Sequence, residues 1–270
     1  MMSDINSNEA KKKRKPRFEN LNNGVMLFIS LGFAVLVWTV ISSIPEIGSI
    51  IISPLKFLET FFKELTAGSL LINIWVSLVR IFFGFFLGLL TAIPVAFLLG
   101  WYKIFRSIVE PWIQFLRTIP PIALIPLVIV MFGVGTMAKV IIIFFAVFLV
   151  MVISIYQGVK NVDLTLIKAA TVLGANDKDI FFDVVIPASF PYILVGVRLG
   201  LASALTTLVA AELTGASKGL GNMIQEAALY FDMGVVILGI VTIGVIGFIF
   251  DKLVLFLEQK LTGWQEVRKN

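Results

Sequence analysis

Neither cysteine nor histidine occurs anywhere in the 270 residues. The first absence removes disulfides and thiol nucleophiles, the second removes imidazole acid–base catalysis, and together they leave none of the usual zinc ligand sets. Charge is scarce as well, at 14% of residues against 59% hydrophobic, with a mean hydropathy of +0.99. That is more apolar side chain than one globular core can bury, and leaving it in water would drive aggregation. Composition therefore places the chain in a bilayer, as an all-α polytopic protein of one domain without a conventional hydrolytic or redox site.

Apolar windows of about 20 residues, enough to cross roughly 30 Å of hydrocarbon, occur near 24 to 43, 70 to 100, 112 to 133, 137 to 157, 189 to 213 and 234 to 257. Six transmembrane helices are expected. The basic run Lys11 to Arg17 precedes an apolar stretch too long for a signal-peptide core, so the first window reads as an uncleaved span. The third window carries Thr118-Ile119-Pro120-Pro121 and Pro126, which withhold backbone donors and should kink or break it. Such a break is tolerated where neighbouring helices or a water-lined cavity satisfy the freed carbonyls. A packing kink and a pathway-lining bend both fit.

With six spans, one side collects Lys11, Lys12, Lys13, Arg14, Lys15 and Arg17, then Lys103 and Arg106, then Lys160, Lys168 and Lys178, and finally Lys260, Arg268 and Lys269. The other holds Lys56, Lys63, Lys139 and Lys218. The positive-inside rule puts both termini and the 158–188 loop in the cytoplasm. A basic tail can also bind nucleic acid or anionic lipid, but beside a span it serves topology, and no nucleic-acid partner is expected. Ser53 to Leu65 alternates apolar residues with Lys56, Glu59, Lys63 and Glu64 at helical spacing, as an outer interfacial helix or a short helix packed on the bundle would. There is no fixed-period repeat. The expected organisation is a basic cytoplasmic tail over 1–22, a first span and outer helix over 23–67, a core over 68–258 and a second cytoplasmic tail over 259–270.

The 158–188 loop is polar between two apolar stretches. Asp163, Leu164, Ile167, Ala169, Ala170, Val172 and Leu173 recur at helical intervals, with Asp163 near the N-terminus, where negative charge is favoured, and Gly174 as a stop. Ile180, Phe181, Val184 and Val185 then oppose Asp177, Lys178, Asp179 and Asp183 before Pro187. Two short amphipathic helices across the cytoplasmic mouth, with a small-residue patch at Ala169 and Ala170, make a knob for a partner's groove.

Lys168-Ala169-Ala170, Gly174, Val184 and Ile186-Pro187 stand at the spacing of the Glu-Ala-Ala coupling signature of type I ABC importer permeases. Arg117 through Leu127, Phe132-Gly133-Val134-Gly135, Pro187-Ala188-Ser189-Phe190-Pro191, Gly196-Val197-Arg198 and Ala210-Ala211-Glu212-Leu213 follow in matching order. From about 68 to 258 the chain resembles the transmembrane subunit of these importers, in the sulfonate, taurine and nitrate branch. One departure is Lys168, which stands where the signature has Glu.

The resemblance implies the type I permease fold and alternating access in a bacterial inner membrane. Two copies of the permease would form the path between them, with a homodimeric ABC ATPase on the coupling loops and an extracytoplasmic binding protein delivering a small anionic nutrient. ATP and Mg would sit on the ATPase, leaving this chain without cofactor or enzyme activity. Coupling would involve Asp163, Lys168, Ala169, Ala170, Gly174 and Pro187. The same machinery in this branch also imports thiamine precursors and flavins. The Gly215 to Gly221 stretch contains Lys218 but lacks the phosphate-loop spacing, and reads as an outer turn before a helix from about Asn222 to Tyr230.

Charges inside spans are costly and point to function by default. Arg80, Arg198 and Glu212 are such residues. They form either an internal Arg–Glu pair that fixes packing or, with Pro120 and Pro121, part of a translocation path. Gly84 with Gly88, and Gly196 with Gly200, give the small-xxx-small spacing of close helix contacts. An ion-coupled secondary transporter would show more intramembrane carboxylates and inverted repeats. A non-transport scaffold would explain the loop but neither the broken span nor the charges.

Overall fold

A computed structural model describes residues 23–261. The basic run from Lys11 to Arg17 and the end carrying Arg268 and Lys269 lie outside the described residues. Among the described residues every regular element is helical, and contacts divide the chain into two units between Leu55 and Lys56.

In the first unit, α1 (Asn23–Ser42) is apolar on all sides and is followed by the short α2 (Pro45–Gly48). The Trp38 indole N–H donates to the Ile52 carbonyl at 2.9 Å, folding the following segment back on α1.

In the second unit, α3 (Pro54–Thr66) sets Phe57, Phe61 and Leu65 at four-residue intervals against Leu70, Leu220, Met223 and Leu238. The stripe is therefore packed on the bundle, while Leu55, Leu58 and Phe62 of the same helix stay exposed. The centre is built from α4 (Ser69–Trp101), α7 (Thr136–Lys160) and α10 (Ile186–Leu213), with α5 (Lys103–Thr118), α6 (Ile125–Phe132), α8 (Leu164–Val172), α9 (Asp177–Asp179), α11 (Leu220–Leu229) and α12 (Met233–Leu261) around them. Five long apolar helical stretches, Gly24–Ser42, Ser69–Trp101, Thr136–Lys160, Asp177–Leu213 and Met233–Leu261, can cross a membrane, and one bent pair makes up to six.

Small residues bring the central helices together. Gly84, Gly88, Ala92 and Ala96 form a buried four-residue ladder along α4. A Cβ on Gly84 would meet Ile143, and one on Gly88 would meet Val147, both of α7. From the opposite side, Gly200 of α10 lies against Met151 and Val147, and Gly196 against Ile155. The two glycine pairs thus let α4 and α10 clasp α7 within one subunit. Buried Ile143, Val147, Met151 and Ile155 fill the seam.

The third expected span is not one helix. α5 and α6 are bent by 88° across a short 3-10 turn, Pro121–Leu124. Neither Pro120 nor Pro121 has an N–H, and a residue before proline is pushed out of the α region, as Ile119 is at φ −85° and ψ 116°. α5 is also more polar than a span, since Lys103, Arg106, Glu110 and Arg117 interrupt it and Ile113 is its one fully buried residue. Its start ties off α4: the Arg106 side chain donates to the Leu99 carbonyl at 2.7 Å and also reaches the Gly100 carbonyl. Those are among the last carbonyls of α4, which have no partner inside the helix.

Candidate coupling and translocation sites

The loop after α7 is closed by local hydrogen bonds. Asp163 caps α8, accepting from the Thr165 N–H at 2.8 Å. That bond holds the exposed carboxyl below the usual carboxylate range. At the far end Gly174 takes φ +85°, its N–H donates to Thr171 O at 3.0 Å, and the Ala175 N–H donates to Ala170 O at 3.0 Å. This pair of bonds closes the helix with a left-handed residue, a conformation glycine adopts without a Cβ penalty. Asn176 then starts the next turn with a reciprocal capping box. Its side chain accepts from Asp179 N at 3.1 Å, and Asp179 accepts from Asn176 N at 3.1 Å.

From Ile180 to Val185 the chain winds as a π-helix and runs directly into α10. Pro187 lies in the first turn of α10, where a missing N–H costs least. This turn is fastened to the bundle, because Phe181 packs edge-on to Phe97 at 5.8 Å and Trp101 at 5.1 Å, while Ile180 and Val185 are buried. α8 rests on the same core through half-buried Ile167 and Ala170, and its other face is open. Val172 and Leu173 are each 87% exposed, and Leu164, Leu166, Lys168 and Ala169 are exposed beside them. The structure thus gathers Asp163, Lys168, Ala169, Ala170 and Gly174 on one projecting elbow, with Pro187 at its root.

The intramembrane charges separate into two groups. Arg80 and Glu212 are brought together: Arg80 Nη1 donates to Glu212 Oε1 at 2.7 Å and to the Lys218 carbonyl at 2.8 Å, with both side chains buried. Ser77 donates to the same carboxylate at 2.9 Å and accepts from Leu220 N–H at 2.9 Å. Gly221 N–H reaches Glu212 Oε2 at 2.9 Å, and Gly219 N–H reaches Asn73 at 2.8 Å. One carboxylate therefore gathers α4, α10 and the 214–221 turn into a knot. Gly219 is required there, because at φ +127° a Cβ would fall on the Glu212 carboxylate.

Arg198 does not join this knot. Its Nε donates to Asp251 Oδ1 of α12 at 2.7 Å, with both side chains partly exposed. Pro120 and Pro121 sit at the α5–α6 bend, away from full burial. Two residues escaped sequence reasoning. Lys139, placed by spacing in a loop, is a buried first-turn residue of α7 whose ammonium donates to Val134 O at 2.5 Å and Gly215 O at 3.2 Å. A cation at a helix N-terminus is unfavourable, and only the neighbouring glycine-rich turn hinted that carbonyls would compensate it. Asp251 had no local signal, since its partner is 53 residues away.

Long apolar helices, a broken span, few buried charges and a projecting two-helix elbow define a polytopic membrane permease subunit. Residues 84–263 match the family of binding-protein-dependent transport system inner membrane components. A probable ABC transporter permease of Brucella abortus is 50% identical over 220 residues, covering 81% of this chain and 88% of that protein. The taurine transport system permease TauC of Escherichia coli is 34% identical over 243 residues, covering 87% and 88%. Among solved structures, the fold is similar to a chain of the MetNI methionine ABC transporter in an inward-facing conformation, at TM-score 0.64 and 19% identity over 73% of this chain and 98% of that one. The chain belongs to this ABC importer permease family, in the branch whose relatives are named for taurine, aliphatic sulfonate and nitrate transport. As such it is a membrane component, with ATP hydrolysis the work of a separate subunit.

Proposed function

We propose that this permease forms, with a second copy of itself, the path for a small solute of the sulfonate, taurine or nitrate kind, and takes its work from an ABC ATPase seated on the 158–188 elbow. The observation that carries this is the elbow itself: two apolar residues 87% exposed at the end of a helix whose caps are all internal, fastened to the bundle through Ile167, Ala170, Ile180, Phe181 and Val185. Exposed apolar residues at a rigid tip mark a docking surface. An extracytoplasmic binding protein would deliver the solute, both termini would be cytoplasmic, and ATP and Mg would be held by the ATPase. ATPase closure would draw two elbows together and turn the bundle outward, a two-state rigid-body change.

Replacing Val172 and Leu173 by Asp tests the elbow. Co-purification with the ATPase and ATP-dependent uptake by proteoliposomes should both be lost, while membrane insertion is kept, because neither side chain enters the core. Uptake at the normal rate by that variant would refute the coupling role.

A further inference from the structure

α8 runs from Leu164 to Val172 with Lys168 as its one charged residue. Thr165, Lys168, Ala169 and Val172 recur at i, i+3, i+4 and i+7, so they share one face of the helix. All four are exposed, whereas Ile167 and Ala170 on the opposite side are half-buried against the core. Lys168 stands one turn before Val172, which is 87% exposed, and so lies inside the surface that a docked partner covers rather than beside it. The carboxylates that flank the helix are engaged elsewhere, since Asp163 accepts from the Thr165 N–H and Asp179 from the Asn176 N–H. Among the described residues no hydrogen bond or ion pair takes the Lys168 ammonium.

A partner that covers Val172 and Leu173 takes this ammonium out of water with them. An unpaired charge in a desolvated contact is costly, and a like charge opposite it costs more. A purely apolar groove is therefore a poor seat for this elbow, and a basic one is worse. Lys168 also reverses the sign found at this place in the Glu-Ala-Ala signature, so a groove complementary to the acid form repels this one. We infer that the ABC ATPase of this importer holds an Asp or Glu against Lys168 in the groove that receives α8, and that this pair excludes ATPases serving permeases with an acid there. Thr165, Ala169 and Val172 are neutral, so the sign of the contact on this face rests on Lys168 alone. This deepens the coupling reading above and rests on it for the identity of the partner.

The test places the full-length permease in phosphatidylcholine nanodiscs, which carry no net lipid charge, and titrates it with two ATPases: its own, and one from an importer whose permease has Glu at this position. The wild type should bind its own about tenfold more tightly than the other, by a margin that shrinks as salt is raised. Lys168→Glu should invert the preference, Lys168→Gln should narrow it and Lys168→Arg should keep it. Exchanging the groove's Asp or Glu for Lys in the cognate ATPase should weaken the wild type about tenfold and restore Lys168→Glu. The pairing is overturned if Lys168→Glu binds the cognate ATPase as the wild type does, or if no charge reversal in the groove restores it. It is overturned as well if the charge at 168 matters only once anionic lipid is added, because Lys168 then serves the membrane surface. The paired Val172→Asp and Leu173→Asp variant reports on docking separately. Should it lose the ATPase while Lys168→Glu keeps it, the elbow still couples and only the pairing fails; should both keep it, the coupling reading fails too.

Discussion

Arg80–Glu212 and Arg198–Asp251 are both Arg–carboxylate pairs at 2.7 Å, and they have little else in common. The first is buried to 5% and 0%, and its carboxylate is also bonded by a serine and a backbone N–H. The second is half open and lines a cavity. Distance alone therefore says nothing about role. What separates a clamp from a candidate binding pair is how many further hydrogen bonds the carboxylate accepts and whether solvent or solute can reach it.

That contrast can be broken or sharpened in order of effect. Glu212→Gln should be the most damaging, because it leaves the Arg80 guanidinium buried without its counter-charge, a change of about 3–5 kcal/mol. Thermal unfolding in detergent would measure it, and a melting curve like that of the wild type would show that the knot is not a clamp. Gly219→Ala should follow, at about 1–3 kcal/mol, since the new methyl strikes the Glu212 carboxylate and forces the turn open. Gly174→Ala forces a Cβ into the left-handed region with open space around it, so it should cost roughly 1 kcal/mol of loop stability and show mainly as a lower ratio of uptake to ATP hydrolysis. Arg198→Gln should shift the unfolding midpoint least, by under about 1 kcal/mol, as an exposed pair does, while impairing uptake. A loss of stability comparable to Glu212→Gln would erase the distinction between the two pairs.

The elbow adds a pH-dependent prediction. Hydrogen bonding lowers the Asp163 pKa in the folded protein, so the unfolded loop binds the proton more readily. The cap's contribution is then complete above the ordinary aspartate pKa and is lost as pH falls through the lower, folded value. Helicity of the elbow should hold at neutral pH and decline only in strong acid, and Asp163→Asn, which can still accept from Thr165, should remove that acid dependence. Hydrogen exchange at the amides of α8 would follow both.

Much of this was legible from residue order. The spans showed as long apolar windows, and the ends of α8 showed because Asp163 and Gly174 act on backbone within a turn of themselves, whereas the Asn176 capping box came only with the structure. Gly84, Gly88, Gly196 and Gly200 announced close packing, though spacing alone did not say whether the contact was within or between subunits. The 88° bend was visible only as a weakness at Pro120-Pro121: two missing donors permit a break but do not set its angle, which neighbouring packing decides. Partners of charges were the least readable. Glu212 finds Arg80 from 132 residues away and Asp251 finds Arg198 from 53, pairings made by helix packing and by no local rule. Lys139 looked like a loop cation because its compensation comes from carbonyls, which every residue has.

Val147 touches glycines of two helices at once, with Gly88 on one side and Gly200 on the other. Three rods so tightly keyed have no room to slide past one another, since a shift of a single methyl already meets backbone. The trio must tilt together as one stiff lever about 40 Å long, with the anchored π turn at one end and the Glu212 knot at the other. A small push delivered at the elbow would arrive at the opposite rim as an equal angle rather than being dissipated along the way.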